Sequence, residues 1–175
     1  HNQRSSFITI ANYINYGGVN GGDPNRKYNA DWGLLNGEEY SMRRNYYHKP
    51  VMSLNWDWNI SSASKLNTVV YASFGRGGGT GDTGSVGGKN FSNAAWRLPD
   101  GTANFDAIYA ANAASTPTAG VLVRRASINS HNWFGIISSF NQKINDNLKL
   151  TAGIDGRYYY GYHYQVVSDF LGATG

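Results

Sequence analysis

Along Asn147–Gln165, apolar and polar residues alternate over a long stretch. Leu148, Leu150, Ala152, Ile154, Tyr158, Tyr160, Tyr162 and Tyr164 share one parity, while Lys149, Thr151, Asp155, Arg157, His163 and Gln165 share the other. Successive strand side chains point to opposite faces, so this pattern predicts a strand with one apolar face ending in tyrosines and one wet face. At about 3.3 Å per residue it would reach roughly 55–60 Å. A strand that crosses a membrane needs only about 9–11 residues, and an outer-membrane barrel whose strands project into the medium uses the excess.

Four further segments read as strands. In residues 5–15, Ile8, Ile10 and Ile14 face one way and Phe7, Ala11 and Tyr13 the other. In 46–60, Met52, Leu54, Trp56, Trp58 and Ile60 alternate with Ser53, Asn55, Asp57 and Asn59. In 65–75, Leu66, Val70, Ala72 and Phe74 are in phase, as are Phe134, Ile136, Phe140 and Ile144 in 129–144. The fifth strand is 147–165. Asp106–Ala114 is the one short helix that the pattern allows. The fold expected is therefore all-β, an antiparallel meander of about five long strands.

The connections alternate in length. Ser61–Ser64 and Asn145–Asn147 suit tight turns, because Ser, Asn and Asp bond to their own backbone. Residues 16–45 and 76–128 form long loops, unusual in a compact domain. Short turns on one rim and long loops on the other match a transmembrane β-barrel with two extracellular loops. The first, third and fifth strands would run toward the long loops. Trp56 and Trp58 lie near a short turn and Tyr158, Tyr160 and Tyr162 far up the last strand, as two interfacial aromatic belts would. A β-sandwich core is the competing source of such alternation.

Composition sharpens the picture. Of 175 residues, 41% are hydrophobic, 14% aromatic and only 15% charged, with 22 Gly and 13 Tyr. This fits an all-β protein with long loops and fits disorder poorly. Mean hydropathy is −0.47, and no apolar run is long enough for a transmembrane helix, a test that barrels evade. The net charge of +4 comes from scattered residues, not the clustered basic face of a nucleic-acid binder. No cysteine is present, which excludes disulfides and thiolate metal sites. The opening at His1 and the close at Gly175 read as an internal piece of a longer chain.

Motifs for chemistry are weak. Gly79–Gly84 spells G-x-G-x-x-G, but no helix begins after it, so a flexible loop is expected. Gly88–Lys89 lacks the rest of a P-loop, and Ser62-x-x-Lys65 falls in a turn without the helix that would activate the serine. His1, His48, His131 and His163 have no ligand spacing, and no metal or cofactor is expected. Glu38–Glu39 would point apart in an extended segment. Asn55, Asp57, Asp155 and Arg157 read as lumen-facing polarity, with Asp57 and Asp155 able to pair with Arg157 or Lys149. The long loops hold Trp32, Tyr40, Trp96, Arg97, Tyr109, Arg124 and Arg125, aromatic and cationic side chains suited to ligand contact. The plain alternative is that these pack the loops against each other.

Met42–Pro50, the following Leu54–Asn55–Trp56, Tyr71–Gly81 and Asn129–Gly135 resemble barrel segments of TonB-dependent outer-membrane receptors, of the Bacteroidetes type that often carries a carboxypeptidase-regulatory-like domain before the plug. The resemblance implies a 22-stranded barrel, an amino-terminal plug and a TonB box; this chain shows neither plug nor box, and its five expected strands cannot close a barrel. It implies outer-membrane lipid, the TonB energy-coupling complex, an imported ligand and a possible surface lipoprotein as partners. The expected function is import of a bulky nutrient (an oligosaccharide, peptide or metal chelate) across the outer membrane of a Gram-negative bacterium, with no enzymatic step. Two rivals are a secreted β-sandwich binding glycans through Trp32 and Trp96, and an envelope hydrolase using Glu38 or Asp106.

Overall fold

The computed structural model describes residues 2–3, 6, 8–16 and 23–174. Its strands are β1 (Asn2–Gln3), β2 (Trp32–Leu35), β3 (Glu38–Ser41), β4 (Arg44–His48), β5 (Val51–Asn59), β6 (Ser64–Gly84), β7 (Ala103–Asn104), β8 (Leu122–Lys143) and β9 (Lys149–Asp169); the helices are α1 (Ile10–Asn15) and α2 (Phe105–Ala113). Strands dominate, and the class is all-β. One sheet runs β1–β4–β6–β8–β9, with β5 also on β6. A smaller sheet runs β3–β2–β7. Among the described residues β5 and β9 each pair on one side only, so the large sheet is open.

The described residues form two compact units, one within 1–46, 78–128 and 164–175, the other within 47–77 and 129–163. In the second unit, β5 pairs antiparallel with β6 from Val51 opposite Ser73 to Asn59 opposite Lys65. The Ser61–Ser64 turn closes this hairpin, with the Ile60 and Ser61 amides donating to the Ser64 carbonyl at 3.0 and 3.1 Å. At the Asn145–Asn147 turn, the Ile144 amide donates to the Leu148 carbonyl at 3.0 Å. The Asn147 amide donates to the Asn145 side chain at 2.9 Å, the local bond that makes Asn a turn residue.

Register separates the faces. Met52 lies opposite Ala72, Leu54 opposite Val70 and Trp58 opposite Leu66, while Ser53, Asn55 and Asp57 lie opposite Tyr71, Val69 and Asn67. Directly opposed residues share a face, so an apolar and a mostly polar face are fixed by the ladder. Phe74 meets Phe134 edge-on at 5.4 Å and Phe134 meets Tyr158 at 6.4 Å, carrying the apolar face across β8 to β9.

The first unit holds the buried core: Tyr40, Met42, Val86, Phe91, Trp96, Ala103, Phe105, Ile108, Leu122 and Leu171. Asn36–Gly37 turns β2 into β3, with φ of 51° and 82°, the left-handed pair that Asn-Gly supplies in a two-residue hairpin. Asp106 accepts the Asn36 amide at 2.7 Å, tying α2 to that turn. Asn104 starts α2 by accepting the Ala107 amide at 3.0 Å. The fully buried Asn112 of α2 accepts the Leu122 amide at 2.9 Å. It also donates to the Leu122 and Leu171 carbonyls at 2.7 and 2.9 Å. One side chain thus satisfies three backbone groups at the start of β8 and beyond the end of β9.

Several expectations are corrected. Of the strand expected over residues 5–15, Ser5 and Phe7 lie outside the described residues, and Ile10–Asn15 forms α1 instead. Thr9 caps it by accepting the Asn12 amide at 3.3 Å, and a helix closes its bonds locally where a strand would need a neighbour. The 46–60 strand is split into β4 and β5 by Lys49–Pro50, because proline offers no N–H to a ladder. The two loops, 16–45 and 76–128, are shorter than expected and largely structured. The first contains β2, β3 and the start of β4; the second contains the end of β6, β7, α2 and the start of β8. The Gly79–Gly84 motif lies inside β6, not in a flexible loop. The helix expected at 106–114 is present as Phe105–Ala113.

Asn112→Ala is expected to cost about 2–4 kcal/mol, since it strands three buried backbone groups. Denaturant unfolding, read by near-ultraviolet circular dichroism of the first unit's aromatics, checks this; a loss below about 1 kcal/mol would mean that the groups find other partners.

Candidate functional site

Two surfaces carry the functional candidates. The first is the apolar face of the second unit. Leu54 is 70% exposed and Ile154 65%, and Met52, Trp56, Trp58, Val70, Phe134, Ile136, Leu148, Leu150, Tyr158, Tyr160 and Tyr162 are exposed beside them. Trp56 and Trp58 stack nearly parallel at 5.8 Å. A shallow trough of about 550 Å³ runs over this face between Leu54, Val70, Phe134, Ile136 and Tyr158. Monomeric soluble proteins seldom show apolar patches above a few hundred Å² unless something binds there. Among the described residues no helix is long and apolar enough to cross a membrane.

The opposite face is built from the alternate residues. Arg157 grips Asp155 with two bonds, Nη2 to Oδ2 at 2.5 Å and Nε to Oδ1 at 3.0 Å. Asp57 lies opposite Asn67, and Asn55 opposite Val69. A cluster that sequence reasoning misses joins them: Tyr71 and Trp133 at 6.1 Å, Trp133 and Tyr159 at 6.3 Å, and Tyr159 and His131 at 5.7 Å. Lys49 stands 5.9 Å from the Trp133 ring. The Tyr71 ring occupies the space a side chain at Gly135 would need, and His131 does the same at Gly75. Glycine opposite a ring is the signal that could locate this cluster.

The second surface is the set of loop candidates in the first unit, and here most side chains are bound to their own chain. Tyr40 donates to Asp169 at 3.0 Å beneath the Arg124 guanidinium, 4.6 Å from its ring. Arg124 also donates to the Ser41 carbonyl at 3.2 Å and lies 3.8 Å from Asp169. Arg97 donates to the Ala30 carbonyl, and to that of Phe91 at 3.0 Å while lying over the Phe91 ring. Arg125 donates to Ser127. Trp32 pairs with Ser41 inside the small sheet. Trp96 is 7% exposed, so its ring cannot be offered to a sugar as the glycan-binding rival requires. Tyr109, 44% exposed on α2, is the most open of the seven. Arg124 and Arg125 belong to β8 and not to a loop.

Of the rival carboxylates, Glu38 is exposed in β3 and Asp106 holds the hairpin turn. Among the described residues no three His, Asp or Glu side chains converge as a metal would need. Arg43 reaches Asp82 at 2.9 Å and the buried Asp31 at 3.3 Å.

Burial raises the Tyr40 phenol well above its ordinary value, against the pull of Arg124, and burial also raises Tyr28. Burial lowers Arg97. A tyrosine that stays protonated in the fold stabilises it below pH about 10, the unfolded value, and that contribution is lost as pH rises toward the folded one. Stability should therefore fall above about pH 10. Tyr40→Phe should lose about 1 kcal/mol at neutral pH through the missing Asp169 bond, yet its stability should fall less steeply between about pH 10 and 12. Urea midpoints across that range check this; parallel declines would remove Tyr40 from the alkaline transition.

Compared with protein-family models, curated proteins and solved structures, the chain matches none.

Proposed function

We propose that this chain is part of the wall of an outer-membrane β-barrel that imports a bulky nutrient, of the TonB-dependent receptor kind. The observation that carries the proposal is the uncovered apolar face of the second unit, bounded by Trp56 and Trp58 at the turn end and by Tyr158, Tyr160 and Tyr162 further up β9. Leaving a large apolar side chain half exposed forgoes roughly 1 kcal/mol. About a dozen such residues forgo an amount comparable to the about 5–15 kcal/mol that holds a whole domain folded. Lipid removes that cost, and the trough between Leu54 and Phe134 suits an acyl chain.

The free edges of β5 and β9 support the same reading. Each unpaired N–H or C=O in hydrocarbon costs several kcal/mol, so only a closed sheet is stable there. Further strands on both edges would close it. The mechanism follows from the two faces: ligand is captured by the outer loops and passes along a lumen lined by Asn55, Asp57, Asp155 and Arg157. Energy comes from the TonB complex acting on the parent receptor, and a surface lipoprotein would share in capture.

Leu54→Lys and Ile154→Asp should abolish membrane assembly, because a charge near mid-membrane on the lipid face costs about 2–4 kcal/mol for a cation, and somewhat less for an anion. Asn55→Asp should be tolerated. Cell fractionation and immunoblotting with and without boiling read this out: the wild type is expected in the outer membrane as a heat-modifiable band. Equal tolerance at all three positions, or a wild-type protein free of membrane, would sink the reading.

A further inference from the structure

The first unit contains a cavity that the transport reading does not use. It has a volume of about 410 Å³ and is walled by Val86, Trp96, Ala111, Ala114 and Ala119, with Lys89 in the lining. Ligand pockets commonly fall in the range of about 300–1,000 Å³ and combine apolar walls with a few placed polar groups. Here the three alanines leave open the space that larger side chains would fill.

Its polar groups point to one chemistry. Ser115 donates its hydroxyl to the Gly120 carbonyl at 2.8 Å, and Thr116 accepts the Ala119 amide at 3.3 Å while keeping its own O–H as a donor. Lys89 differs. Its ammonium stands 5.7 Å from the Trp96 ring, and no carboxylate among the described residues pairs with it. The backbone holds Lys89 in place through reciprocal Val86–Lys89 bonds of 3.1 and 3.0 Å around Gly87 and Gly88, whose φ values of 56° and 72° favour glycine.

An exposed cation without a carboxylate partner, beside an apolar cavity, favours a single negative charge attached to an apolar body. A polyol would leave its hydroxyls facing alanine, at the cost of unpaired polar groups. We infer that this cavity binds small organic monocarboxylates, with the carboxylate on Lys89 and the apolar body over Ala111, Ala114 and Val86. The site lies wholly within the first unit and does not depend on the barrel reading.

Titration of the whole protein in detergent with 4-fluorophenylacetate, followed by fluorine NMR, tests this. Saturable millimolar or tighter binding is expected, with 4-fluorophenylacetamide binding about two- to fivefold more weakly, the worth of an ion pair with an exposed ammonium. Lys89→Gln should weaken the acid by a similar factor while leaving the melting temperature unchanged. Ala114→Leu, which fills the cavity from an exposed position at the end of α2, should weaken acid and amide alike. Absence of saturable binding to the wild type, equal binding of acid and amide, or an unchanged Lys89→Gln would each overturn the inference. If Ala114→Leu fails to fold, the amide comparison and Lys89→Gln still decide it.

Discussion

The large sheet depends on the hydrogen-bonding demand of one strand. The 21 residues of β6 must find partners for their backbone groups on both sides, and β4, β5 and β8 supply them. That demand keeps a glycine-rich run extended where its composition favours a loop. Glycine has low strand propensity, but at Gly75 and Gly78 the neighbouring His131 ring, Ser127 carbonyl and Tyr46 hydroxyl leave no room for a side chain. The ladder, and not local preference, decides the conformation.

Once the ladder is set, the two units solve opposite problems. In the first, polar groups are buried and must be satisfied internally, so Asn112 bridges Leu122 and Leu171, and Arg97, Arg124 and Tyr40 bond to nearby backbone and carboxylate. In the second, an apolar face has no covering layer among the described residues, and its polar groups gather on the other side. The first arrangement covers its apolar side chains within the unit. The second gains most from a medium without water, which is the physical basis of the membrane proposal.

The loop arginines and tyrosines illustrate how a site can be misjudged from composition. Exposed aromatics beside cations suit ligand capture, and the sequence places Tyr40, Arg97 and Arg124 in stretches that read as loops. Their partners (Asp169, the Phe91 carbonyl and the Ser41 carbonyl) are set by the fold and not by any local pattern. No periodicity encodes such contacts. The Asn36–Gly37 hairpin, by contrast, is legible in two adjacent letters, because the left-handed turn it needs is a property of those two residues alone.

What is local and periodic can be read from the order of residues alone. The period of two along β5 and β9 set their faces, Ser61–Ser64 and Asn145–Asn147 set the turns, and Asp106–Ala114 marked α2 to within one residue, because side-chain alternation and turn bonds are made within a few residues. The tertiary structure decided what needs a partner. It drew Gly77–Gly79 into β6 and Arg124–Arg125 into β8. It also assembled Tyr71, Trp133, Tyr159 and His131 into one cluster. Each depends on which backbone or ring lies opposite, a quantity fixed by register between strands far apart in sequence.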